Sequence, residues 1–218
     1  MTLQLIILPY FLIVMHNEIL TDKQKELLPY LTRFKRSFYL VGGTAIALYL
    51  GHRRSIDFDL FSYSRLKKPD IWRKLKDIPY VKKRIFESTD QLHLYINEIK
   101  VTFFNYPFQV PHSTNIDKVI EMPSLLSLAA MKAFALGRRA KWKDYVDLYF
   151  LIKNHFSIKD ISEEASILFE DQYSGKLFRQ QLAFHKDIDY SEQIEFMSGF
   201  EAKEEEIKTY LIEKALEW

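Results

Sequence analysis

The sequence predicts an α+β protein in which a small lobe with a mixed or antiparallel sheet precedes a mostly helical lobe. Short β-favouring runs dominate residues 38–104, whereas after Pro123 the apolar residues recur with the 3.6-residue period of helices. The chain has 218 residues, 48% of them hydrophobic, with only 6 Gly and 7 Pro, so it can bury a core and is unlike a disordered chain. We place the two lobes at residues 1–115 and 116–218.

The chain begins with an apolar run, Leu5–Val14. The run is too short for the roughly 30 Å hydrocarbon layer of a membrane, which takes about 20 residues to cross. It contains Pro9 and lacks both a preceding basic region and a small-residue cleavage site, so we expect neither a secretory signal nor a membrane anchor. Two explanations stay open: the run packs on the first lobe, or Met15 is the true start.

Five strands and three helices are predicted in the first lobe. Thr44 is suited to cap the second helix and Gly51 to end it. In chain order the elements are a helix over Glu18–Phe34 interrupted near Pro29, a strand over Phe38–Val41, a helix over Thr44–Leu50, a strand over Ile56–Phe61, a helix over Pro69–Lys76, and strands over Lys82–Phe86, Leu92–Ile96 and Lys100–Phe104, the last two joined by a turn at Asn97-Glu98.

The second lobe is predicted to be mostly helical. Its first helix ends at Gly137, the residue type that most often follows a helix. The predicted helices cover Ser124–Leu136, Trp142–Asn154, Ile158–Phe169 and Glu201–Leu216.

The net charge of +2 conceals an uneven distribution. Residues 160–218 carry 15 acidic and 6 basic side chains, whereas residues 1–159 carry 14 acidic and 25 basic ones. The excess is greatest in residues 51–86, with 11 Lys and Arg against 4 Asp. This division indicates a polyanionic partner for the first part of the chain, although charge alone favours two solvated lobes of opposite sign.

Cysteine is absent from the chain. Disulfides, zinc–thiolate sites, iron–sulfur clusters and a cysteine nucleophile are therefore excluded. The composition suits a reducing cytoplasm, which is where we expect the protein.

Gly42-Gly43-Thr44 follows a predicted strand and precedes a predicted helix. A glycine turn at a helix N-terminus offers free backbone N–H groups with no Cβ in the way, which suits a phosphate. A glycine pair alone is more often only a turn.

Asp57 and Asp59 lie on one face of the strand Ile56–Phe61, about 7 Å apart at Cα by strand rise. Two adjacent carboxylates repel each other unless a cation lies between them, and Mg²⁺ prefers oxygen ligands and also binds substrate phosphates. Asp is a poor strand former, so the pair indicates a function, although a solvent-facing strand explains it equally well if the motif stands alone.

The stretches Tyr39–Ala45 and Leu50–Ser62 together resemble the AbiEii/AbiGii toxin family of nucleotidyltransferases, within the DNA polymerase β-like superfamily. That superfamily has a Gly-Gly or Gly-Ser turn followed by Asp-x-Asp. The resemblance continues at Lys132 and from Arg138 through Lys143–Leu148, so its motifs cover roughly residues 38–150.

The resemblance implies roles for particular residues. Asp57 and Asp59 would ligate Mg²⁺, Lys132 would reach the triphosphate, and Asp144 or Asp147 would serve as a base or an orienting carboxylate. Sequence alone does not separate these two, which lie at i and i+3 near one face of a helix. The residues expected to bind the nucleotide are Gly42, Gly43, Thr44, Arg53, Ser55, Lys132 and Arg138.

One position departs from the superfamily pattern. Thr102 stands on the strand Lys100–Phe104, where a third carboxylate is expected. A hydroxyl is a poor Mg²⁺ ligand and no general base, and Glu98 is an unconvincing substitute. Either one metal ion suffices, with Asp144 or Asp147 as the base, or the activity is weak.

The resemblance implies a Mg²⁺-dependent enzyme that moves a nucleotide from an NTP to an acceptor hydroxyl. The family implies a toxin of a toxin–antitoxin or phage-defence pair, with tRNA or another RNA as acceptor and a winged-helix antitoxin encoded nearby. The basic stretch Arg65–Arg84 is the physical support for RNA. The alternatives are a protein or small-molecule acceptor, and a non-catalytic nucleotide-binding module.

Overall fold

The structure is a computed structural model and describes residues 15–217. The apolar run Leu5–Val14 lies outside the described residues. Within the described chain, the strands are β1 Tyr39–Val41, β2 Phe58–Ser62, β3 Lys82–Glu87, β4 Gln91–Ile96, β5 Ile99–Asn105, β6 His112–Ile116 and β7 Ile120–Pro123. The α-helices are α1 Asp22–Leu27, α2 Gly42–Leu50, α3 Lys68–Leu75, α4 Leu125–Leu136, α5 Trp142–Asn154, α6 Ile158–Phe169, α7 Gly175–Ala183 and α8 Glu204–Leu216.

Five strands form one mixed sheet in the order β1-β2-β5-β4-β3. β2 and β5 run parallel, and the other neighbouring pairs are antiparallel. β4 and β5 are joined at Asn97-Glu98, both of which have positive φ (52° and 64°), as the predicted tight hairpin requires. The predicted mixed sheet is thus confirmed.

The sheet has one buried face and one partly open face because its residues alternate. On β4, Leu92, Leu94 and Ile96 are buried, whereas Gln91, His93 and Tyr95 face the other way and reach solvent. On β2, Phe58 and Leu60 are fully buried, and Asp59 between them is accessible. Thr102 of β5 pairs with both Asp59 and His93, so the polar residues of β2, β5 and β4 share the open face.

The helices largely follow the prediction, and their ends have identifiable causes. α5 and α6 have the predicted bounds, and Ser157 caps α6 by accepting a hydrogen bond from the Asp160 backbone N–H. The predicted N-terminal helix is interrupted near Pro29 as expected, since it continues as a 3-10 helix over Leu28–Phe34. Gly51 ends α2 in the left-handed conformation, with φ of 67°.

Two predictions about the β1–β2 region were wrong. The helix after β1 begins at Gly42, so Thr44 lies inside it and does not cap it. β2 begins at Phe58 and not at Ile56, so Ile56 and Asp57 precede the strand, and Ile56 is 60% exposed. The alternation of apolar and acidic residues thus begins at Ile56, two residues before the hydrogen bonds of β2 begin.

The structure also contains elements that the sequence pattern did not indicate. The stretch proposed as a boundary between lobes forms the β6–β7 hairpin, and the Tyr39 ring of β1 stacks on His112 of this hairpin at 4.2 Å. α7 was not predicted, and α8 begins at Glu204, three residues later than expected. One continuous cluster of buried residues extends across both proposed lobes.

Candidate active site

The Asp57–Asp59 pair lies where β1 turns into α2. Val41, the last residue of β1, is the Cα partner of Asp59 on β2, so Gly42 lies directly beside the Asp59 carboxylate. A Cβ on Gly42 would approach Asp59 Oδ2 to 2.4 Å, and Gly42 has φ of +75°. Glycine is therefore required here both for backbone conformation and for space. The glycine turn and Asp59 thus meet at one edge of strands β1 and β2.

Thr102 occupies the neighbouring position on the next strand. It is the Cα partner of Asp59 in the parallel pair β2–β5, and His93 of β4 is the partner of Thr102. Side chains paired in this way lie on the same face of a sheet, about 4.8 Å apart. Thr102 thus stands beside Asp59, where a third carboxylate would complete the acidic cluster.

A cleft of about 550 Å³ opens beside this row of residues. Asp59, Gly42 and Thr102 form part of its floor. Its cationic lining consists of Lys100, Lys132, Arg138 and Arg139. Its aromatic lining consists of Phe61, Phe104, Tyr106, Phe108 and Phe134, whose neighbouring rings lie about 5 to 6 Å apart. The cleft thus combines a cationic wall with an apolar wall of the kind on which a nucleobase stacks.

Asp147 is the centre of a buried network of charges. Its carboxylate is inaccessible and accepts two hydrogen bonds from Arg53, of 2.7 and 2.9 Å, and one of 2.8 Å from His52. Lys132 Nζ lies 2.9 Å from the same carboxylate. Four donors occupy the four lone-pair sites of Asp147, which leaves it no free acceptor position. Asp147 therefore holds the side chains of Arg53 and Lys132 in place.

Asp144 connects this network to the cleft. It is fully buried, and its two oxygens contact Lys132 and the Arg139 guanidinium, the latter at 3.1 Å. Arg139 is half exposed and lines the cleft, as does Lys132. Both motif carboxylates lie on one face of α5, as the i, i+3 spacing predicts, and Asp144 is the one nearer the cleft cations.

The charges of this network shift the pKa values of its members. Burial alone would raise the pKa of Asp147, but Arg53 and Lys132 hold it well below its ordinary value. Burial would likewise lower the pKa of Lys132, yet Asp144 and Asp147 keep it above the usual value. Burial lowers the pKa of His52, so the ring is neutral near pH 7. The network therefore stays fully ionised at neutral pH around a neutral imidazole.

The predicted nucleotide ligands Thr44, Ser55 and Arg53 are engaged with the protein itself. The buried Thr44 hydroxyl lies 2.5 Å from the Asp57 carbonyl oxygen and 3.0 Å from Ser55 Oγ. The Arg53 guanidinium packs so closely on the turn that a Cβ on Gly43 would meet it at 2.5 Å. These three side chains hold the loop before β2 against the glycine turn, which fixes the position of Asp57.

Arg138 lies at the cleft with its guanidinium over the Phe134 ring, 3.6 Å from the centroid. Stacking of this kind holds the planar fork in place while leaving N–H groups for a ligand. Cleft-lining Gln91, His93, Arg139 and Gln172 were not singled out from the sequence. The period-2 alternation of β4 is the signal that could have indicated Gln91 and His93.

Residues 189–197, in the acidic C-terminal part of the chain, form a segment that we name the strap. Its contacts with the site were not predicted from the sequence. The Arg54 backbone N–H donates to the Glu195 carbonyl (2.9 Å), and Met197 N–H donates to the His52 carbonyl (3.0 Å). Glu192 accepts hydrogen bonds from Lys141 and Lys143 at the start of α5. These contacts hold the pKa of Glu192 at about 2, although burial alone would raise it. The strap thus fastens the loop that carries Arg53 to α5.

The donors at the carboxylate pair suit a hard divalent cation. Burial, and then the charge of Asp59, raises the pKa of Asp57, and a bound cation would relieve both effects. Within residues 15–217, no group of three or more Asp, Glu, His or Cys side chains could hold a metal by itself. A Mg²⁺ ion here would complete its coordination with substrate phosphates and water, which is how Mg²⁺ is commonly bound.

A mixed sheet with a glycine turn beside Asp57 and Asp59, next to a cleft lined by cations, is the arrangement of a nucleotidyltransferase. The model of the family described as nucleotidyl transferase AbiEii toxin, type IV toxin–antitoxin system, matches residues 30–209. An uncharacterized protein of Aquifex aeolicus (strain VF5) is 31% identical over an alignment of 178 residues that covers 78% of this chain and 77% of that protein. The chain therefore belongs to the AbiEii family of nucleotidyltransferase toxins.

Solved structures show the same fold at low sequence identity. MenT4, the nucleotidyltransferase toxin Rv2826c of Mycobacterium tuberculosis H37Rv, matches with a TM-score of 0.59 and 14% identity, over 88% of this chain and 80% of that one. JHP933 from Helicobacter pylori matches with a TM-score of 0.54 and 15% identity, over 89% of each chain. Among residues 15–217, no helix has the length and apolar character needed to cross a membrane.

Proposed function

We propose that the protein transfers a nucleotide from a Mg²⁺-bound NTP to the 3′ hydroxyl of an RNA, with tRNA as the candidate acceptor. It would act as the toxin of a toxin–antitoxin or phage-defence pair, with a winged-helix antitoxin encoded nearby as its partner. The observation that carries this proposal is that Asp59, whose charge acts on neighbouring Asp57, lines a cleft that is also lined by Lys132, Arg138 and Arg139.

The cleft offers a place for each part of an NTP. Lys132 has three N–H donors, of which Asp144 and Asp147 occupy two, so one is left for a phosphate oxygen. The guanidinium groups of Arg138 and Arg139 also line the cleft and suit phosphate oxygens. The N-terminus of α2 at Gly42 and Gly43 adds backbone N–H groups. The base would lie against the aromatic wall.

The reaction requires positioning and charge compensation more than covalent participation by the protein. The acceptor oxygen attacks the α-phosphorus, the new P–O bond forms as the bond to pyrophosphate breaks, and the hydroxyl proton passes to water in the cleft. Asp57 and Asp59 would hold Mg²⁺, which supplies Lewis-acid stabilisation of the phosphate oxygens. Lys132, Arg138 and Arg139 offset the charge that develops on the leaving pyrophosphate, while Asp144 positions two of them.

Label transfer from α-³²P NTPs to purified total tRNA tests this function. We expect Asp57→Asn to reduce labelling at least a hundredfold, because it removes a metal ligand and leaves the shape unchanged. Asp70→Asn, at an aspartate of α3 outside the cleft, is the matched control and should label normally. Equal labelling by wild type and Asp57→Asn would refute the assignment of the carboxylate pair.

Repeating the assay in a cell extract tests the alternatives, of which Thr102 motivates the non-catalytic module. A label that survives RNase and is lost with protease identifies a protein acceptor. Calorimetric binding of Mg²⁺–NTP without pyrophosphate release in any extract identifies a non-catalytic binding module. Either result would contradict transfer to RNA.

A further inference from the structure

The open face of the sheet continues beyond the carboxylate pair towards its β3 edge. We name the residues Lys83, Phe86, His93, Tyr95 and Lys100 the open sheet face. They lie on the side opposite buried Leu92, Leu94 and Ile96, and none of them belongs to the hydrophobic core. Phe86 is 49% exposed and Tyr95 is 43% exposed. Two large aromatic rings thus lie in solvent on a surface continuous with the candidate active site.

The register of the strands arranges these residues in two rows that end at the carboxylates. In the first row, Lys83 pairs with Tyr95 and Tyr95 pairs with Lys100, whose Nζ lies 4.0 Å from Asp57 Oδ2. In the second row, Phe86 pairs with His93, and Thr102 links His93 to Asp59. Three strand spacings separate β3 from β2, or about 14 Å.

The open sheet face is positively charged as well as aromatic. Lys83 forms no ion pair with any residue of the described chain, and Lys100 is paired only with Asp57, at the 4.0 Å limit. Nearby Glu87 and Glu98 have cationic partners of their own, Lys68 and Lys23. Lysines that are unpaired or only weakly paired, interleaved with exposed rings, are typical of surfaces that bind single-stranded nucleic acid.

We propose that the open sheet face binds the 3′-terminal nucleotides of a single-stranded RNA acceptor. The bases stack on Phe86 and Tyr95, and Lys83 and Lys100 neutralise the backbone phosphates. The rows then lead the terminal hydroxyl to Asp57 and Asp59. About 14 Å accommodates two or three extended nucleotides, and stacking on a ring tolerates any base. This inference rests on the proposed function, since it names the path by which the acceptor reaches that site.

Equilibrium binding of a fluorescein-labelled 12-nucleotide oligouridine tests the proposal by anisotropy. We expect Tyr95→Ala and Phe86→Ala each to weaken binding about thirtyfold, which is the middle of the range for loss of one stacking ring. Lys83→Ala should lower the slope of log Kd against log salt concentration by about 0.7, because one phosphate contact is lost. Thermal melts confirm that these surface variants fold.

The chain offers a matched control for each change. Lys82 is adjacent to Lys83 but pairs with buried Ile96, so its side chain leaves the strand on the other face. Tyr63 is 54% exposed and does not line the cleft. Lys82→Ala and Tyr63→Ala should change Kd less than twofold. Equal losses for Lys82→Ala and Lys83→Ala would overturn the proposal, since they would indicate diffuse attraction.

Label transfer measured on the same variants separates this proposal from the proposed function. If wild type labels RNA and Tyr95→Ala labels it equally well, the acceptor path is refuted and the function stands. If wild type binds oligouridine through the open sheet face but labels no RNA, the face is supported and the function fails. If Tyr95→Ala instead dissolves a dimer in gel filtration and leaves RNA binding intact, the face is a protein interface and the proposal is refuted.

Discussion

Asp59 and Thr102 are Cα partners across the parallel strands β2 and β5. Their side chains therefore share the open face of the sheet, beside the turn at Gly42. Position 102 is therefore the place where a third carboxylate could be added beside Asp57 and Asp59.

Thr102→Asp should couple the stability of the fold to metal. In EDTA the new carboxylate repels Asp57 and Asp59, which we expect to cost up to about 3 kcal/mol at the separation of neighbouring strands. Added Mg²⁺ should restore the melting temperature and produce a larger shift than in wild type. Thr102→Asn has similar size without the charge and is the control. Identical melting of both variants in EDTA would show that the side chain does not face the carboxylates.

Gly42→Ala should reduce transfer strongly and destabilise the fold. The new Cβ would meet Asp59 Oδ2 at 2.4 Å, and alanine at positive φ adds about 1–2 kcal/mol of strain. Gly199→Ala is a matched control, because Gly199 has φ of +88° and no atom within 4 Å of the added Cβ. It should show the strain alone, with full activity. Equal activity losses in both variants would mean that contact with Asp59 is unimportant.

Asp147→Asn should destabilise the protein by about 3–5 kcal/mol, because it leaves the buried cations Arg53 and Lys132 without their shared counter-charge. Urea unfolding monitored by fluorescence measures the loss. Glu195→Gln removes the partially exposed pair with Arg54 and should cost less than about 1 kcal/mol. A loss below 1 kcal/mol for Asp147→Asn would contradict its place at the centre of the network.

Glu192 should make the stability of the strap depend on pH. Its folded-state pKa of about 2 lies below the ordinary value of 4.5, so its contribution is complete above about pH 5 and is lost as the pH falls towards 2. The melting temperature of Glu192→Gln should therefore be lower than that of wild type at pH 7 and approach it at pH 2 to 3. Glu205→Gln, on the exposed side of α8, should follow wild type throughout. A constant difference across this range would rule out the ion pairs with Lys141 and Lys143 as its cause.

The parts of the fold that could be predicted depend on neighbours in the sequence. The helix α6 has a capping box, and the hairpin at Asn97-Glu98 lies between two strands with alternating residues. The turn at Gly42-Gly43 is indicated by the glycine pair itself. The same local patterns place Asp57 and Asp59 together and put both α5 carboxylates on one face. These features are determined within a few residues.

The rest depends on contacts between distant parts of the chain. The Arg53 guanidinium, expected at a nucleotide, is taken by a carboxylate 94 residues away, and no local pattern reveals that pairing. The polar sequence of His112–Ile116 indicates a loop. The segment forms a strand because β7 pairs with it and Tyr39 stacks on His112. The cleft-lining His93 is an ordinary strand residue until the register with Thr102 is known.

The pairing of Arg53 with Asp147 also has a consequence for biosynthesis. The carboxylates Asp57 and Asp59 leave the ribosome early, but the guanidinium that holds their loop cannot be buried without its counter-charge. That counter-charge is translated 94 residues after Arg53. Nascent chains and prematurely terminated products that stop short of Asp147 thus lack an assembled site, so activity is confined to chains that extend past Asp147.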